Sequence, residues 1–353
     1  MDKFSLDSHK LKYHPNAVAD FYNDKNVDPI YVEISPTAFC NHRCVFCHYN
    51  HLGHEGKFGK NRMLELVDEL AQANTKSLVF AGIGEPLLNK ETIPAIKSAK
   101  SKGIDVAMST NGALMKEDDM EDIAKSLTWI RFSFNAATKE NYAEIHKAKE
   151  TDFELVLANI KKLADVKKAT NSDITIGIQY VVLPQTRNNI EELAKRLKEN
   201  GADYFVIKHF YEHEQSEFSK TSLLISEDEL STLQAFASEI SDDNFSMIVR
   251  SRENLTQHRI YNKCYGLPFI VYIRENGDVY TCFSYQHDEK TVLGNINDSS
   301  FNQIWNSETK QAAIDHINNN IEKNTCQPNC RHHQINNYLW DIKHPTTQHI
   351  NFI

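Results

Sequence analysis

Long apolar runs are missing from this chain: nowhere do about 18 consecutive apolar residues occur, the length of a bilayer-spanning helix, so no membrane partner is expected. An export signal is missing too, because the opening MDKFSLDSHKLKYHP has no apolar h-region. So is a surplus of positive charge. The 39 Lys and Arg against 48 Asp and Glu leave a net charge of −9, which speaks against a nucleic-acid partner, whose phosphates need a basic face. Internal repeats and low-complexity segments are also absent. What is present is an ordinary globular composition, 41% hydrophobic and 25% charged, on 353 residues, enough for one large α/β barrel and a small additional module. Seven cysteines without an export signal point to a reducing, cytoplasmic setting, in which clustered thiols suit metal binding or catalysis better than disulfides.

Apolar, β-rich runs alternate with amphipathic stretches from about residue 30 to 210, the pattern of repeated βα units and a parallel sheet. YVEIS (31–35), SLVFAG (77–82), IDVAMST (104–110), WIRFSFN (129–135), ITIGIQYVVL (174–183) and YFVIKHF (204–210) read as six strands, with helices near 61–74, 90–102, 117–127, 138–169 and 188–200. Six units fall two short of a closed eightfold barrel, so the fold class expected is α/β: an open, partial (β/α)6 TIM-like barrel that keeps its ligands at the carboxyl ends of its strands. After 210 the pattern changes. A helix is expected near 226–240, and PFIVYIRENGDVYTCF reads as a hairpin around Asn276-Gly277, both of which tolerate positive φ. Helices near 301–319 and 331–341 complete a small C-terminal α+β module. The expected division is 1–29 as an extension, 30–215 as the barrel, 216–262 as a connection, 263–342 as the module and 343–353 as a tail whose apolar end plugs the open barrel.

FCNHRCVFC places Cys40, Cys44 and Cys47 as C-x3-C-x2-C directly after the first strand. Three thiolates on a four-iron cluster leave one iron open to another ligand. On residue types alone a zinc knuckle, completed by His42, His48 or His51, fits as well. Adjacent histidines on a helix point about 100° apart, so His332-His333 is not read as a metal pair.

The segment resembles the radical S-adenosylmethionine (SAM) superfamily, whose cluster motif is C-x3-C-x-aromatic-C, with Phe46 in the aromatic place. The resemblance covers residues 30–210, because further motifs follow in the family's order. Gly82-Ile83-Gly84-Glu85-Pro86 is similar to the GGEP segment, with Ile83 a departure. Ser109-Thr110-Asn111-Gly112 is similar to the STNG segment, and Ser133 and Asn135 to the ribose and carboxylate contacts of SAM. The run Val181–Pro184, including Val182 and Leu183, with Ile176-Gly177-Ile178, resembles the strand that packs on adenine. The resemblance implies that the open iron chelates SAM, that one electron cleaves it to methionine and a 5′-deoxyadenosyl radical, and that this radical removes a hydrogen atom from the substrate. It makes Phe46, Gly82, Gly84, Glu85, Thr110, Asn111, Ser133, Asn135, Val182 and Leu183 the expected SAM-binding residues, and implies an external electron donor such as flavodoxin or ferredoxin.

The other four cysteines, Cys264, Cys282, Cys326 and Cys330, are spaced C-x17-C-x43-C-x3-C and flank the hairpin. Four ligands saturate a cluster, and four cysteines also suit zinc. The spacing and GNINDSSFNQIWNSE (294–308) resemble the twitch module, the short relative of the SPASM extension, which implies a second 4Fe-4S cluster acting as electron relay. The nearest functional resemblance is to twitch enzymes that oxidise an alcohol of an aminocyclitol. Groups for proton transfer and for holding hydroxyls must then lie on strand ends facing the cleft: Gln179, Lys208, His209 and Arg250, with Tyr211 and Arg252 beside them. These hydrogen-bonding and cationic candidates suggest a small polar substrate, a sugar, aminocyclitol or nucleotide-linked sugar, undergoing dehydrogenation, epimerisation or dehydration. Two alternatives stand beside it. One is a peptide-modifying maturase, which usually carries an N-terminal recognition domain larger than the ~30 residues before the first strand here; the other is a non-catalytic scaffold with two zinc sites.

Overall fold

The structure, a computed structural model, describes Phe4 and residues 9–210, 225–250 and 259–352. Tyr211 and Arg252 lie outside the described residues. The six expected strands form as β1 (Tyr31–Ile34), β2 (Ser77–Phe80), β3 (Asp105–Thr110), β4 (Trp129–Ser133), β5 (Thr175–Val182) and β6 (Tyr204–His209), each parallel to the next. Four more strands extend the sheet: β7 (Ser246–Val249) lies parallel beside β6, and β8 (Ile270–Ile273) lies parallel beside β1 on the other flank. Beyond β8 run the antiparallel β9 (Asp278–Tyr280) and β10 (Gly294–Asn295), giving the order β10-β9-β8-β1-β2-β3-β4-β5-β6-β7. The partial barrel is therefore open, and β8 to β10 continue its sheet.

Strand parity separates two faces. Val32, Ile34, Leu78, Phe80, Val106, Met108, Ile130, Phe132, Ile176, Ile178, Phe205 and Ile207 are buried under the helices in one continuous core. The alternate positions, among them Glu33, Ser35, Val79, Ala81, Ala107, Arg131, Ser133, Gly177, Gln179 and Lys208, face the lumen. After α1 (Pro15–Tyr22), which precedes the first strand, the helices that cover the outer face include α2 (Arg62–Gln72), α3 (Thr92–Ser101), α4 (Glu117–Ser126), α5 (Lys139–His146), α6 (Glu150–Ala169) and α7 (Ile190–Glu199). Their sequences explain their ends and faces. α6 starts on Glu150 and Asp152 and finishes on Lys167 and Lys168, complementing its dipole, and α7 buries the stripe Ile190, Leu193, Ala194 and Leu197.

Four expectations are corrected. The single helix near 138–169 is two, α5 and α6, because Lys147 adopts the left-handed conformation (φ 50°) and closes α5. The stretch 301–319 likewise splits into Phe301–Trp305 and Glu308–Asn320, the second capped by the Ser307 side chain. The hairpin turns through three residues, Glu275–Gly277, in which only Gly277 (φ 94°) takes positive φ; the Gly277 N–H donates to Arg274 (2.9 Å), as in a type I turn closed by a left-handed residue. The tail does not plug the barrel: Ile350 and Phe352 are 57% and 85% exposed.

Candidate active site

The loop after β1 brings Cys40, Cys44 and Cys47 to one mouth of the lumen, all half-buried and none in a disulfide. It is fastened to the end of α5, where the Arg43 and Val45 amides donate to the carbonyls of His146 (3.0 Å) and Ile145 (2.9 Å). Burial, reinforced by the Glu85 carboxylate and the Cys47 thiol, pushes Cys40 up to about 11. Cys44 and Cys47 are raised by burial as well, and Cys44 further by both companions. Thiols so placed ionise against a bound cation, which fits a three-thiolate site built for a metal centre. The site also contains a residue that sequence reasoning missed: the His146 Nδ1 lies 3.1 Å from the Cys44 sulfur. His42, Cys44 and His146 place their ligand atoms within 4.8 Å of one another. His42 is further held by Asp152 (3.2 Å), whereas His48 turns its ring onto Phe283. Phe46 packs against the helix-side core, edge-on to the His146 ring.

The segment after β2 closes on this loop through bare backbone. A Cβ on Gly84 would come within 2.3 Å of the Phe39 carbonyl and 2.5 Å of that of Thr37, and one on Gly82, whose φ is +107°, within 2.6 Å of the Ser35 side chain. Glu85 is 2% exposed, and its carboxylate accepts from the Thr110 hydroxyl (2.7 Å), the Asn111 amide (2.8 Å) and the Leu87 amide (3.2 Å). Burial still raises its pKa, against the lowering effect of those three donors. Glu85, Thr110 and Asn111 therefore form one satisfied network, and Asn111 extends it to the Asn41 side chain of the thiol loop (2.8 Å). Asn135 accepts from the Val181 amide (2.7 Å) and donates its own backbone N–H to His146 Nε2 (3.3 Å). Ser133 is half-buried, in register with Gln179. Val182 turns its side chain into the helix-side core by the alternation along β5, and Leu183, just past the end of the strand, is buried in the same core, so the two offer a ligand in the lumen backbone only, a correction to the expected adenine contact. Gly177 makes room for the Tyr204 ring, whose Cζ would lie 2.0 Å from an added Cβ.

Three of the four residues considered for proton transfer and substrate holding come together. Val181 pairs with Lys208 and Ile207 with Val249, so Gln179, Lys208 and Arg250 sit on the luminal parity of three adjacent strands near their carboxyl ends. The Gln179 Oε1 is buried without a partner. His209 is a correction: next to Lys208 on the same strand it points the other way, with Phe205 and Ile207, and is 2% exposed. Sequence reasoning also missed a charged group deeper in the lumen. Glu33 accepts from Arg331 (2.7 Å) and from the Tyr31 hydroxyl (2.8 Å), and Arg131 packs beside the Trp129 ring with its Nε unpartnered. The signal was available: Glu33 and Arg131 are charges at the centre of otherwise apolar strands, on the luminal parity.

Cys264, Cys282, Cys326 and Cys330 converge although up to 66 residues separate them in the chain, 330 − 264. Burial, then Cys330, pushes Cys264 up to about 12 and raises Cys282. The buried Lys323 ammonium lies among them and caps the carbonyls of Ile317 and Ile321 (both 2.5 Å), and the Asn336 amide donates to the Cys264 sulfur (3.2 Å). Four thiols beside a buried cation fit a fully ligated cluster. His332 and His333 are buried next to this set, and His333 bonds Tyr261 (3.0 Å) and Asn337 (3.1 Å). The two thiol sets approach each other through their neighbours. His48, after Cys47, stacks on Phe283, after Cys282, with centroids 5.1 Å apart.

Two family models match this architecture: the radical SAM superfamily over residues 34–197 and an iron-sulfur cluster-binding SPASM domain over residues 264–332. The chain belongs to the radical SAM superfamily and carries a C-terminal SPASM/twitch-type module, so its cofactors are 4Fe-4S clusters, one in the barrel and one auxiliary, and SAM. Among curated relatives, it is 24% identical over 313 residues to a tungsten-containing aldehyde ferredoxin oxidoreductase cofactor-modifying protein of Pyrococcus furiosus, covering 79% of this chain and 81% of the relative. It is 33% identical over 115 residues to an S-adenosylmethionine-dependent nucleotide dehydratase of Lacinutrix mariniflava, covering 31% of this chain and 24% of the relative. The fold is similar to that of Streptococcus suis SuiB bound to S-adenosylmethionine, with a TM-score of 0.65 at 18% identity over 89% of this chain and 74% of SuiB. Among the described residues no helix is long and apolar enough to cross a membrane.

Proposed function

We propose that this radical SAM enzyme abstracts a hydrogen atom from a small polar substrate, a sugar, aminocyclitol or nucleotide-linked sugar, and carries it to dehydrogenation, epimerisation or dehydration. The observation that carries the reading is the lining of the lumen: Gln179, Lys208 and Arg250 near the strand ends, with Glu33 and Arg131 below, offer hydrogen bonds and positive charge where an apolar substrate would find little to bind. Arg131, with its unpartnered Nε, suits an anionic group such as a phosphate. Similarity to the nucleotide dehydratase of Lacinutrix mariniflava supports the nucleotide-linked member of the class.

Cys40, Cys44 and Cys47 are assigned to the barrel cluster, and Cys264, Cys282, Cys326 and Cys330 to the auxiliary one. When bound, these groups and SAM supply one-electron transfer and the hydrogen-abstracting fragment. The chain does the rest. Gly82 and Gly84 let the backbone close on the cofactor loop, with Phe46 behind it; Glu85, with Thr110 and Asn111, holds that backbone and keeps a carboxylate for the cofactor's ammonium. Ser133 and Asn135 face the ribose and carboxylate, and the backbone at Val182 and Leu183 borders the adenine. Lys208 takes or holds the substrate proton, and Gln179 and Arg250 orient its hydroxyls; His209 supports β6 from the helix side. Residues 30–215 are the catalytic barrel, joined through 216–262 to an electron-relaying module at 263–342, between an extension (1–29) and a tail (343–353), with flavodoxin or ferredoxin as donor.

The test is to incubate reduced holoenzyme and SAM with deuterated sugars, aminocyclitols, nucleotide sugars and, in parallel, peptides. Deuterium in 5′-deoxyadenosine from a member of the first three groups is the expected result. Transfer from peptides alone makes the protein a peptide maturase and overturns the reading.

A further inference from the structure

We infer that the His146 imidazole donates an N–H···S hydrogen bond to the Cys44 thiolate and so sets the reduction potential of the barrel cluster. The inference rests on the assignment of Cys40, Cys44 and Cys47 to that cluster. His146 ends α5, and Lys147, in the left-handed conformation, turns the chain away directly after it. The two amides flanking Cys44, those of Arg43 and Val45, are fastened to the last two carbonyls of the helix, so the Cys44 side chain lies against the His146 ring, with its sulfur 3.1 Å from Nδ1.

Which nitrogen carries the proton follows from the ring's other contact. The Asn135 backbone N–H points at Nε2 (3.3 Å), and a backbone N–H can only donate, so Nε2 is the bare, accepting nitrogen. The proton of the neutral ring then sits on Nδ1, facing sulfur. The ring has no room to turn: it is 1% exposed, packs on Tyr142 at a centroid distance of 4.3 Å, and meets Phe46 edge-on at 5.8 Å. The second imidazole nearby, His42, is engaged by Asp152 at 3.2 Å. Donation to a cluster thiolate withdraws electron density from sulfur, which favours the reduced cluster and makes its potential less negative. His146 is thus a positioning residue that acts through Cys44. In the other thiol set, the Asn336 amide holds the same relation to Cys44's counterpart Cys264, at 3.2 Å, and is untouched by a change at His146.

The experiment is an anaerobic redox titration of the holoenzyme followed by electron paramagnetic resonance, without substrate, so that its outcome is independent of the substrate class. His146→Phe keeps the ring packing and removes the donor. The expected result is a shift of about tenfold in the reduction equilibrium of the barrel cluster, about 59 mV more negative for one electron, with the auxiliary cluster unmoved. His146→Asn, whose Nδ2–H can take the place of Nδ1–H, restores most of the shift. An unchanged potential at full cluster occupancy overturns the inference. Should the Phe variant fail to assemble, the wild type decides: pulsed resonance of the reduced enzyme carrying 15N-labelled histidine shows a weak imidazole-nitrogen coupling to the barrel cluster, as across an N–H···S contact. Its absence, or the strong nitrogen coupling of a directly bound imidazole, overturns the inference equally. Iron analysis separates the two levels, since a chain with iron on the second thiol set alone refutes the cluster assignment itself.

Discussion

Gly84→Ala isolates the close approach on which the cofactor loop depends. The φ of Gly84 is not in the left-handed region, so the substitution tests space and nothing else. The new methyl would stand 2.3 Å from the Phe39 carbonyl oxygen, 2.5 Å from that of Thr37 and 2.7 Å from the Ala38 carbonyl carbon. All three are backbone atoms, so no side chain can swing aside, and the segments must part by roughly 1 Å to recover ordinary contact. Overpacking of this kind costs about 1–3 kcal/mol. Parting also stretches the Glu85 N–H bond to the Phe39 carbonyl, 2.9 Å here, for about 0.5–1.5 kcal/mol more. The expected loss is about 2–4 kcal/mol, a large share of a typical domain's stability. Because Phe39 precedes Cys40, the barrel cluster should also load poorly. The assays are anaerobic urea unfolding of the apo chain and iron content after reconstitution, against Gly59→Ala, where an added methyl meets nothing within 4 Å. A Gly84→Ala protein with the midpoint and iron content of that control refutes the argument.

Burial raises the Glu85 carboxyl above its ordinary 4.5, so over the window from 4.5 up to the raised value the folded apo chain binds more protons than the unfolded one, and stability falls as pH rises; Glu85→Gln should flatten that difference in urea midpoints measured against pH. Cys326→Ala should lower iron from about eight to about four per chain while reductive SAM cleavage persists, measured by iron assay and 5′-deoxyadenosine release. Lys208→Met should reduce turnover by roughly a hundredfold with iron and SAM binding intact, whereas His209→Phe should lower the unfolding free energy from urea titration by about 1–3 kcal/mol and spare turnover, because the two side chains lie on opposite faces of β6.

What was legible in the sequence was local. The six strands and their order were readable because apolar runs such as ITIGIQYVV carry strand character within a few residues, and the thiol spacing because a loop of eight residues, 40 to 47, constrains its own geometry. Parity along a strand was readable in principle: it separates Lys208 from His209, and it marks Glu33 and Arg131 as charges aimed into the lumen. The split of α5 from α6 was not, since Lys147 carries none of the usual marks of a helix stop, and its left-handed backbone serves the docking of the cysteine loop.

The alternation of strand and helix and the two groups of cysteines were written into the chain locally, because backbone periodicity and ligand spacing are set by neighbours in the chain. Which distant groups meet was settled by the folded arrangement. His146 reaches Cys44 across 102 residues, and Arg331 reaches Glu33 across 298, because the parallel sheet lays the ends of far-separated strands side by side. A contact of that kind is selected by the summed packing of all the elements between, and no local pattern encodes it.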